Sequence, residues 1–300
     1  MENDAVKKEK LFLLGMIASM FCWGLSWASA KVLGSYGPAI SISLIRYVTT
    51  FISLLILLLI TRENLSIKKS GLKDLLAAST ILAFYFYFFF KGLEEGLAGA
   101  GGVLVTILNP IISYLIMLLM TWKKPSKNEA IGLTVGLAAG AILLKIWDVS
   151  SSLLDLGNIY FLLASFSWAI LSVFTSNFSK HGSPLVYSFW MYGICCLLTF
   201  LFTTNSETIA VFEKADSLFW GNLFFSATIT TAMATTFYFI ATSKIGASKA
   251  SSFIFLVPFT AAIGSWIFLG EKPQTHTIIG GILGMLAVYI LNKKVKKQNE

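Results

Sequence analysis

Arg46 is the one ionisable residue that falls well inside a long apolar stretch of this 300-residue chain. A charge in the hydrocarbon core of a bilayer costs about 2.5–3.5 kcal/mol on insertion scales, so its side chain should face protein or a wet cavity. There it could bind the carboxylate or phosphate group of a ligand, or it could hold helices together through main-chain carbonyls. Of these two roles the sequence favours the structural one, because Arg46 lies about two helical turns from the end of its stretch.

Acidic residues and histidines are placed differently. All fifteen Asp and Glu residues, together with His181 and His276, fall in tails, loops or the ends of apolar stretches. A proton relay through a membrane usually needs a carboxylate or histidine at depth, so obligatory proton coupling through a buried acid is disfavoured. Glu94 and Glu95 are the acids that could still reach a pathway from one side of the membrane.

Groups for catalysis or metal binding are also missing from the apolar stretches. They contain no Asp–Asp pair, histidine cluster or metal-ligand spacing, as a buried hydrolase would need. Cys22, Cys195 and Cys196 lie in apolar sequence and offer neither a disulfide framework nor a metal site. We therefore expect no enzyme activity, no cofactor and no metal.

Seven consecutive aromatic residues occupy positions 84–90. At 3.6 residues per turn they point in all directions, so part of the run must face lipid. A tyrosine hydroxyl at depth needs a hydrogen-bond partner, which makes Tyr85 and Tyr87 better candidates for a pathway than the phenylalanines. The same two alternatives, pathway lining or plain packing, hold for Trp23, Ser26, Trp27, Trp168 and Tyr238.

Two prolines, Pro110 and Pro258, fall in the middle of apolar stretches. Proline in a helix removes one hydrogen bond and frees a carbonyl group. In a membrane that carbonyl must be satisfied by protein or by a wet cavity. We predict that both prolines act as hinges or line a pathway.

Ten apolar stretches must position these residues. Apolar residues make up 56% of the chain and charged residues 13%, and the mean hydropathy is +0.76, whereas a soluble domain has about 45–50% and 25%. Crossing a hydrocarbon core of about 30 Å takes roughly 20 apolar residues. The stretches cover approximately 11–30, 39–60, 75–92, 98–121, 129–146, 156–178, 185–204, 218–241, 250–269 and 276–292. We predict an all-α polytopic membrane protein with ten transmembrane helices, which excludes a water-soluble enzyme.

The basic residues indicate the orientation of these helices. If the N-terminus is cytoplasmic, the cytoplasmic tails and loops hold 17 Lys and Arg residues and the outer loops hold 5. This asymmetry favours both termini in the cytoplasm. It also accounts for the net charge of +8 without a nucleic-acid partner. The basic start followed by Ala28-Ser29-Ala30 also resembles a cleavable signal peptide, a less favoured alternative.

The second half of the sequence repeats the first. Pro110 and Pro258 are separated by 148 positions, and the same spacing relates Pro125 to Pro273, Gly132 to Gly280 and Gly136 to Gly284. Each half, 11–146 and 156–292, holds five stretches. Because five is odd, the second half enters the membrane from the opposite side, and such inverted repeats are common in secondary transporters. The spaced glycines are assigned to close helix packing.

Short motifs extend this pattern along the chain. They are TrpGlyLeuSerTrp (23–27), SerLeuIleArgTyr (43–47), AlaSerLysAlaSerSer (247–252), LeuGlyGlu (269–271) and IleGlyGly (279–281). In this order, with the ten stretches, the sequence resembles the EamA family of the drug/metabolite transporter superfamily. The first half departs from the pattern at ThrTrpLys (121–123), where the second half has LeuGlyGlu.

The resemblance implies a central cavity lined by stretches 1, 3, 4, 6, 8 and 9, with stretches 5 and 10 at the periphery. It implies export of amino acids or related small metabolites by alternating access across the bacterial inner membrane. The substrate-binding candidates are Trp23, Trp27, Tyr85, Asn109, Trp168, Tyr238 and Phe255. Such a cavity suits zwitterionic or amphipathic solutes better than phosphates. An importer, a lipophilic-drug efflux protein and, less favoured, a scaffold remain as alternatives, and a homodimer is possible.

Overall fold

The computed structural model describes residues 2–121, 125–147, 155–245 and 252–292. Within these ranges the chain forms helices joined by turns and short extended segments, without β-strands. The helices of the first half are α1 (Glu2–Gly34), α2 (Ala39–Thr61), a 3₁₀ turn (Lys69–Gly71), α3 (Leu72–Glu95), α4 (Ala98–Thr121) and α5 (Lys127–Leu143).

The second half contains more, and shorter, elements. They are α6 (Leu156–Thr175), α7 (Phe178–His181), α8 (Pro184–Phe200), α9 (Asn205–Lys214), α10 (Ser217–Leu223), a π-helical segment (Phe224–Thr235), α11 (Thr236–Ile245), a 3₁₀ turn (Ser252–Phe255), α12 (Leu256–Leu269) and α13 (Thr275–Asn292). Each of the ten predicted stretches thus contains helix, which confirms the all-helical fold class.

Five helical segments among the described residues are long and apolar enough to cross a membrane. They are Leu11–Gly34, Ala39–Thr61, Lys69–Glu95, Ala98–Ile116 and Leu156–His181. The pair Pro184–Phe200 and Asn205–Lys214, bent by 111°, would make a sixth, and Leu256–Leu269 and Thr275–Ile290 are shorter apolar helices. The chain is therefore a multi-pass membrane protein, while the count of ten spans and the cytoplasmic position of both termini stay predictions.

The seventh predicted stretch, 185–204, ends earlier than expected. Helix α8 stops at Phe200, and after Thr203 and Thr204 the chain turns sharply into α9. The polar residues that follow Thr204 explain the break, because they begin a new helix outside the apolar run. Helix α9 packs its buried Val211 on the turn between α1 and α2, where a Cβ atom added to Gly37 would lie 2.4 Å from Val211 Cγ2.

The eighth stretch contains a π helix of 12 residues, Phe224–Thr235, which the sequence analysis did not anticipate. Threonine hydroxyls repeat the π register, since Thr231 Oγ1 donates to the carbonyl of Ser226 (2.8 Å) and Thr235 Oγ1 to that of Thr230 (3.1 Å), each five residues back. Such wide turns are rare and frequently lie at functional sites.

Helix packing is symmetric under exchange of the two halves. The contacts of α3 with α6 correspond to those of α1 with the π segment, and those of α4 with α6 to those of α1 with α12. Helices α5 and α13 form the fifth predicted stretch of each half, and they pack on each other. There a Cβ atom on Gly136 would lie 3.5 Å from Ala287 Cβ, and one on Gly280 would lie 3.1 Å from the Ala139 carbonyl. The predicted packing role of these glycines is confirmed.

We call the membrane side at which α1 begins the N-terminal side, and the side that carries the α1–α2 turn the distal side. Pro184 and the 3₁₀ turn 69–71 lie on the N-terminal side, where Ser70 Oγ is 3.1 Å from His181 Nδ1. Between these two faces, the core helices enclose a cavity.

Candidate functional site

A cavity of about 90 Å³ lies among the core helices. Its described lining comes from α1, α2, α3, α4, α6, α8, the π segment and the region where the second 3₁₀ turn meets α12. Helices α5 and α13 contribute no lining residue among those described. The six stretches implied by the family resemblance are all represented. Helices α2 and α8 were not expected there, and they add Arg46 and Tyr192.

Most of the predicted site residues meet at this cavity. Trp23, Trp27, Tyr85, Asn109 and Trp168 line it, together with Pro110 and Arg46. Tyr238 lies one layer behind, with its ring 5.0 Å from that of Trp23. The side chain of Phe255 lies outside the described residues. Pro258 is buried in α12, and its neighbour Val257 reaches the lining. That these residues bind a substrate stays a prediction.

Aromatic rings form one wall of the cavity. The rings of Tyr85 and Trp168 are 4.7 Å apart, and the ring of Trp23 stands edge-on to Trp168 at 6.1 Å. Tyr85 is buried, with 8% of its surface exposed. Stacked and edge-on pairs of this kind fix ring orientation, so the wall presents defined apolar faces to anything bound there.

Tyr87 does not share this position. Its side chain is 37% exposed, and its ring contacts Phe88 on the outside of α3. The prediction that Tyr87 lines a pathway is therefore wrong. Two residues along a helix differ by about 200° in direction, so Tyr85 and Tyr87 cannot both face one cavity.

Hydroxyl groups form the opposite wall. Thr230, Thr231 and Thr235 of the π segment all line the cavity. Trp23 Nε1 donates to Thr235 Oγ1 at 3.1 Å, which joins the two walls. Sequence reasoning missed these threonines. The signal available was the density of hydroxyl residues in 226–236, which is unusual for an apolar stretch.

Arg46 lies between the two walls and is only 5% exposed. Its Nη2 donates to the Ser226 carbonyl (3.3 Å) and to Thr231 Oγ1 (3.1 Å), and its guanidinium carbon is 4.7 Å from the centre of the Phe86 ring. The carbonyl contact fits the structural role that the sequence favoured. However, Nε and Nη1 are buried without a hydrogen-bond acceptor among the described protein atoms. Buried polar groups in native proteins are nearly always paired, so these two nitrogens need an explanation.

The acids that could have reached the pathway do not line this cavity. Glu94 accepts a hydrogen bond from the Ala39 amide (3.0 Å) and pairs with Lys91, so it caps the start of α2. Glu95 lines a second cavity on the distal side.

The kink-forming proline of α4 is adjacent to the cavity. Pro110 has no amide hydrogen, so the carbonyl of Thr106 lacks its usual helical donor, and both residues line the cavity. The next polar side chain, Asn109, accepts a hydrogen bond from Ser113 Oγ at 3.1 Å. A carbonyl freed beside a polar cavity is where a membrane helix tolerates proline, while a hinge role for Pro110 and Pro258 stays a prediction.

The second cavity, of about 360 Å³, lies on the distal side and has charged residues of both signs in its lining. An aromatic layer separates it from the central cavity. Trp27 lines the central cavity, Phe161 lines the distal one, and their rings are 5.9 Å apart. Both side chains are nearly fully buried, with exposed fractions of 4% and 1%.

Glycines make room for this layer. A Cβ atom on Gly92, Gly96 or Gly101 would lie 2.5, 2.9 or 2.3 Å from the nearest ring atom of Phe161. Those distances are shorter than any van der Waals contact, so the ring of Phe161 fits only because these three residues have no side chain. The layer therefore closes the central cavity toward the distal side.

The comparison with protein families shows which family the chain belongs to. The model of the EamA-like transporter family matches residues 10–145 and 155–293. The chain belongs to the EamA-like transporter family. The two matched segments give the family's two-repeat architecture.

Named relatives agree with this membership. The chain is 27% identical over 288 residues to the uncharacterized transporter YoaV of Bacillus subtilis (strain 168), covering 93% of this chain and 95% of that one. It is 25% identical over 297 residues to the uncharacterized transporter YvbV of the same organism, covering 97% and 94%. A solved crystal structure resembles it with a TM-score of 0.61 over 93% of this chain and 96% of that chain, at 15% identity, which supports the fold alone.

Proposed function

We propose that this EamA-like protein is a secondary transporter of the bacterial inner membrane that exports amino acids or related small metabolites by alternating access. The observation that carries the proposal is a cavity between the core helices, lined by aromatic rings, hydroxyl groups and Arg46, and separated by the Trp27–Phe161 layer from a second cavity on the distal side. A scaffold has no need of two such cavities with an aromatic layer between them.

The transport cycle follows from this arrangement. A solute held between the aromatic and hydroxyl walls reaches the distal side when the rings of Trp27 and Phe161 separate. Phe161 is on α6, and Gly92 and Gly101 are on α3 and α4, so movement of the second half against the first opens the barrier. The cavity offers no buried carboxylate among its described lining residues, and we propose exchange or facilitated movement without a buried acidic proton carrier.

Counterflow tests this function directly. Purified protein in liposomes loaded with an unlabelled amino acid should accumulate the labelled form transiently, without a pH gradient, while protein-free liposomes should not. Saturable counterflow supports the carrier, and the panel of solutes names the substrate class. Lack of movement for every amino acid, carboxylate and lipophilic cation in properly inserted protein would refute the proposal. Movement only with an imposed pH gradient would redirect attention to Glu94 and Glu95.

A further inference from the structure

Two nitrogens of Arg46, Nε and Nη1, have no hydrogen-bond acceptor among the described residues. The guanidinium group has five N–H donors in a fixed plane, and among the described residues acceptors are found for Nη2 alone. An unsatisfied buried donor costs about 1–3 kcal/mol, and more when the group is charged. Arg46 lines the cavity while Nε and Nη1 are themselves covered, so an acceptor that enters the cavity pairs with them when the guanidinium group turns toward it.

The charge of Arg46 also has no carboxylate counterion among the residues that the structure describes around the cavity. The described lining of the central cavity contains no aspartate or glutamate. Glu94 is engaged at the start of α2 with Ala39 and Lys91, and Glu95 borders the distal cavity. The face of Phe86 at 4.7 Å gives partial compensation through its π electrons. Among the described lining residues, the positive charge of Arg46 is therefore compensated by rings and dipoles but not by an anion.

We propose that Arg46 binds the carboxylate of the transported solute, and that the preferred solutes are small monoanionic carboxylates. This inference rests on the proposed transport function and names the substrate class of the same site. A monocarboxylate supplies one negative charge and two acceptor oxygens, which matches one guanidinium group with free donors. Its apolar part then lies against Tyr85 and Trp168 on the aromatic wall.

Other charge types fit less well. A phosphate dianion would leave a negative charge in the cavity, since Arg46 is the only Lys or Arg among its described lining residues. A zwitterionic amino acid offers the same carboxylate, but its ammonium group meets only rings and hydroxyls, so it ranks below the corresponding anion. An amine without a carboxylate would add a second positive charge beside Arg46 and ranks last.

The size of the cavity narrows the class further. A buried water needs a cavity volume of roughly 10–15 Å³. The central cavity of about 90 Å³ therefore has room for about six to nine waters. Solutes of about that number of heavy atoms fit without opening the cavity. Leucine, its keto acid 4-methyl-2-oxopentanoate, and leucinamide share one skeleton of that size and differ mainly in charge.

Binding of these three solutes tests the proposal without transport. We would use isothermal calorimetry on the full chain in lipid nanodiscs at neutral pH. The expected order of affinity is keto acid, then leucine, then leucinamide, with at least a tenfold difference between the first and the last. Equal affinity of the three, tighter binding of leucinamide, or no binding of either carboxylate would overturn the proposal.

Substitutions assign the effect to Arg46. Arg46→Gln should weaken binding of the keto acid at least tenfold and abolish the preference over leucinamide, whereas Arg46→Lys keeps the charge and should retain part of it. Arg62→Gln is the matched control, because Arg62 lies just after α2, is exposed and is remote from the cavity. Unchanged keto-acid binding by Arg46→Gln would refute the assignment. If Arg46→Gln does not fold, Arg46→Lys decides: we expect its preference for the keto acid over leucinamide to be reduced but not lost, and a preference as large as that of the unaltered protein counts against the proposal.

Failure of this inference and failure of the transport function give different results. If solutes move by counterflow but Arg46→Gln transports carboxylates and amines as the unaltered protein does, the transport function is supported and the role of Arg46 is refuted. If the keto acid binds through Arg46 but no solute exchanges across the liposome membrane, the binding site is supported and the carrier function is refuted.

Discussion

Helix α3 and the segment Ser217–Ile245 are the third apolar stretch of each half, yet they give the cavity opposite walls. Helix α3 is a regular α helix, and it contributes rings, with Tyr85, Phe86 and Phe89 in the lining. Its counterpart contains the 12-residue π helix and contributes threonine hydroxyls. Sequence repetition has thus preserved the place of the element but not its chemistry.

This difference gives the cavity an aromatic side and a hydroxyl side. Arg46 lies where the two elements meet, with its guanidinium carbon 4.7 Å from the Phe86 ring and its Nη2 donating to Thr231 of the π segment. On the carboxylate-binding proposal, a solute with a charged end and an apolar end would place the charged end at Arg46 and the apolar end against the rings. A cavity with two identical walls would give no such preference.

The largest expected effect comes from breaking the aromatic wall. Trp168→Ala removes a ring that contacts both Trp23 and Tyr85 and lines the cavity, and fully burying an apolar side chain is worth about 1.5–3 kcal/mol. Since a cavity wall loses only part of that, we expect the half-saturation concentration for counterflow to rise roughly 10- to 100-fold. Trp266→Ala is the matched control, because Trp266 is 52% exposed on α12. Equal kinetics of the two variants would mean that the ring wall does not bind solute.

A second effect concerns the glycines of the two corresponding elements. In α3, a Cβ atom on Gly92 would lie 2.5 Å from the Phe161 ring, while Gly221 of α10 has no atom within 4 Å of that position. Gly92→Ala should lower the free energy of unfolding by about 1–3 kcal/mol through overpacking. Gly221→Ala should leave it unchanged or raise it by about 0.5–1 kcal/mol, since alanine favours helix. Thermal unfolding in detergent measures both, and equal melting temperatures would contradict the close fit of Phe161.

A smaller effect is expected from the hydroxyl wall. Thr231→Val keeps the shape but removes one of the two acceptors of Arg46 Nη2, and a net hydrogen bond is worth about 0.5–1.5 kcal/mol. We expect the affinity for carboxylates to fall roughly two- to tenfold. Thr228→Val is the control in the same π segment, since its hydroxyl pairs with Ser53 Oγ at 2.8 Å. A loss of equal size in both variants would point to general damage to the π segment.

The smallest expected effect is that of replacing Glu95. Glu95 ends α3 and borders the distal cavity rather than the central one. Glu95→Gln should therefore leave the counterflow rate in the absence of a pH gradient within about twofold of the unaltered protein, because this carboxylate is not among the described residues around the central cavity and surface substitutions usually change stability by about 0.5 kcal/mol or less. A rate that drops by an order of magnitude would instead show that Glu95 contacts the solute or carries a coupled proton.

The sequence by itself determined the helices, because long apolar runs bounded by polar residues leave few alternatives in a membrane. It also singled out Trp23, Trp27, Tyr85, Asn109 and Trp168, which line one cavity. The repeat was visible in the matched prolines and glycines at a spacing of 148.

Only the tertiary structure decided which face of each helix meets the cavity. Helical periodicity separates Tyr85 from Tyr87 but does not indicate which of them points inward, since that depends on the neighbouring helices. Helices α2 and α8 joined the lining through contacts with elements more than 100 residues away, as in the bond from Arg46 to Thr231. The π register of 224–235 and the fit of Phe161 against three glycines likewise arise from packing between distant segments. Local sequence fixes the donors and the rings, and the fold fixes what they face.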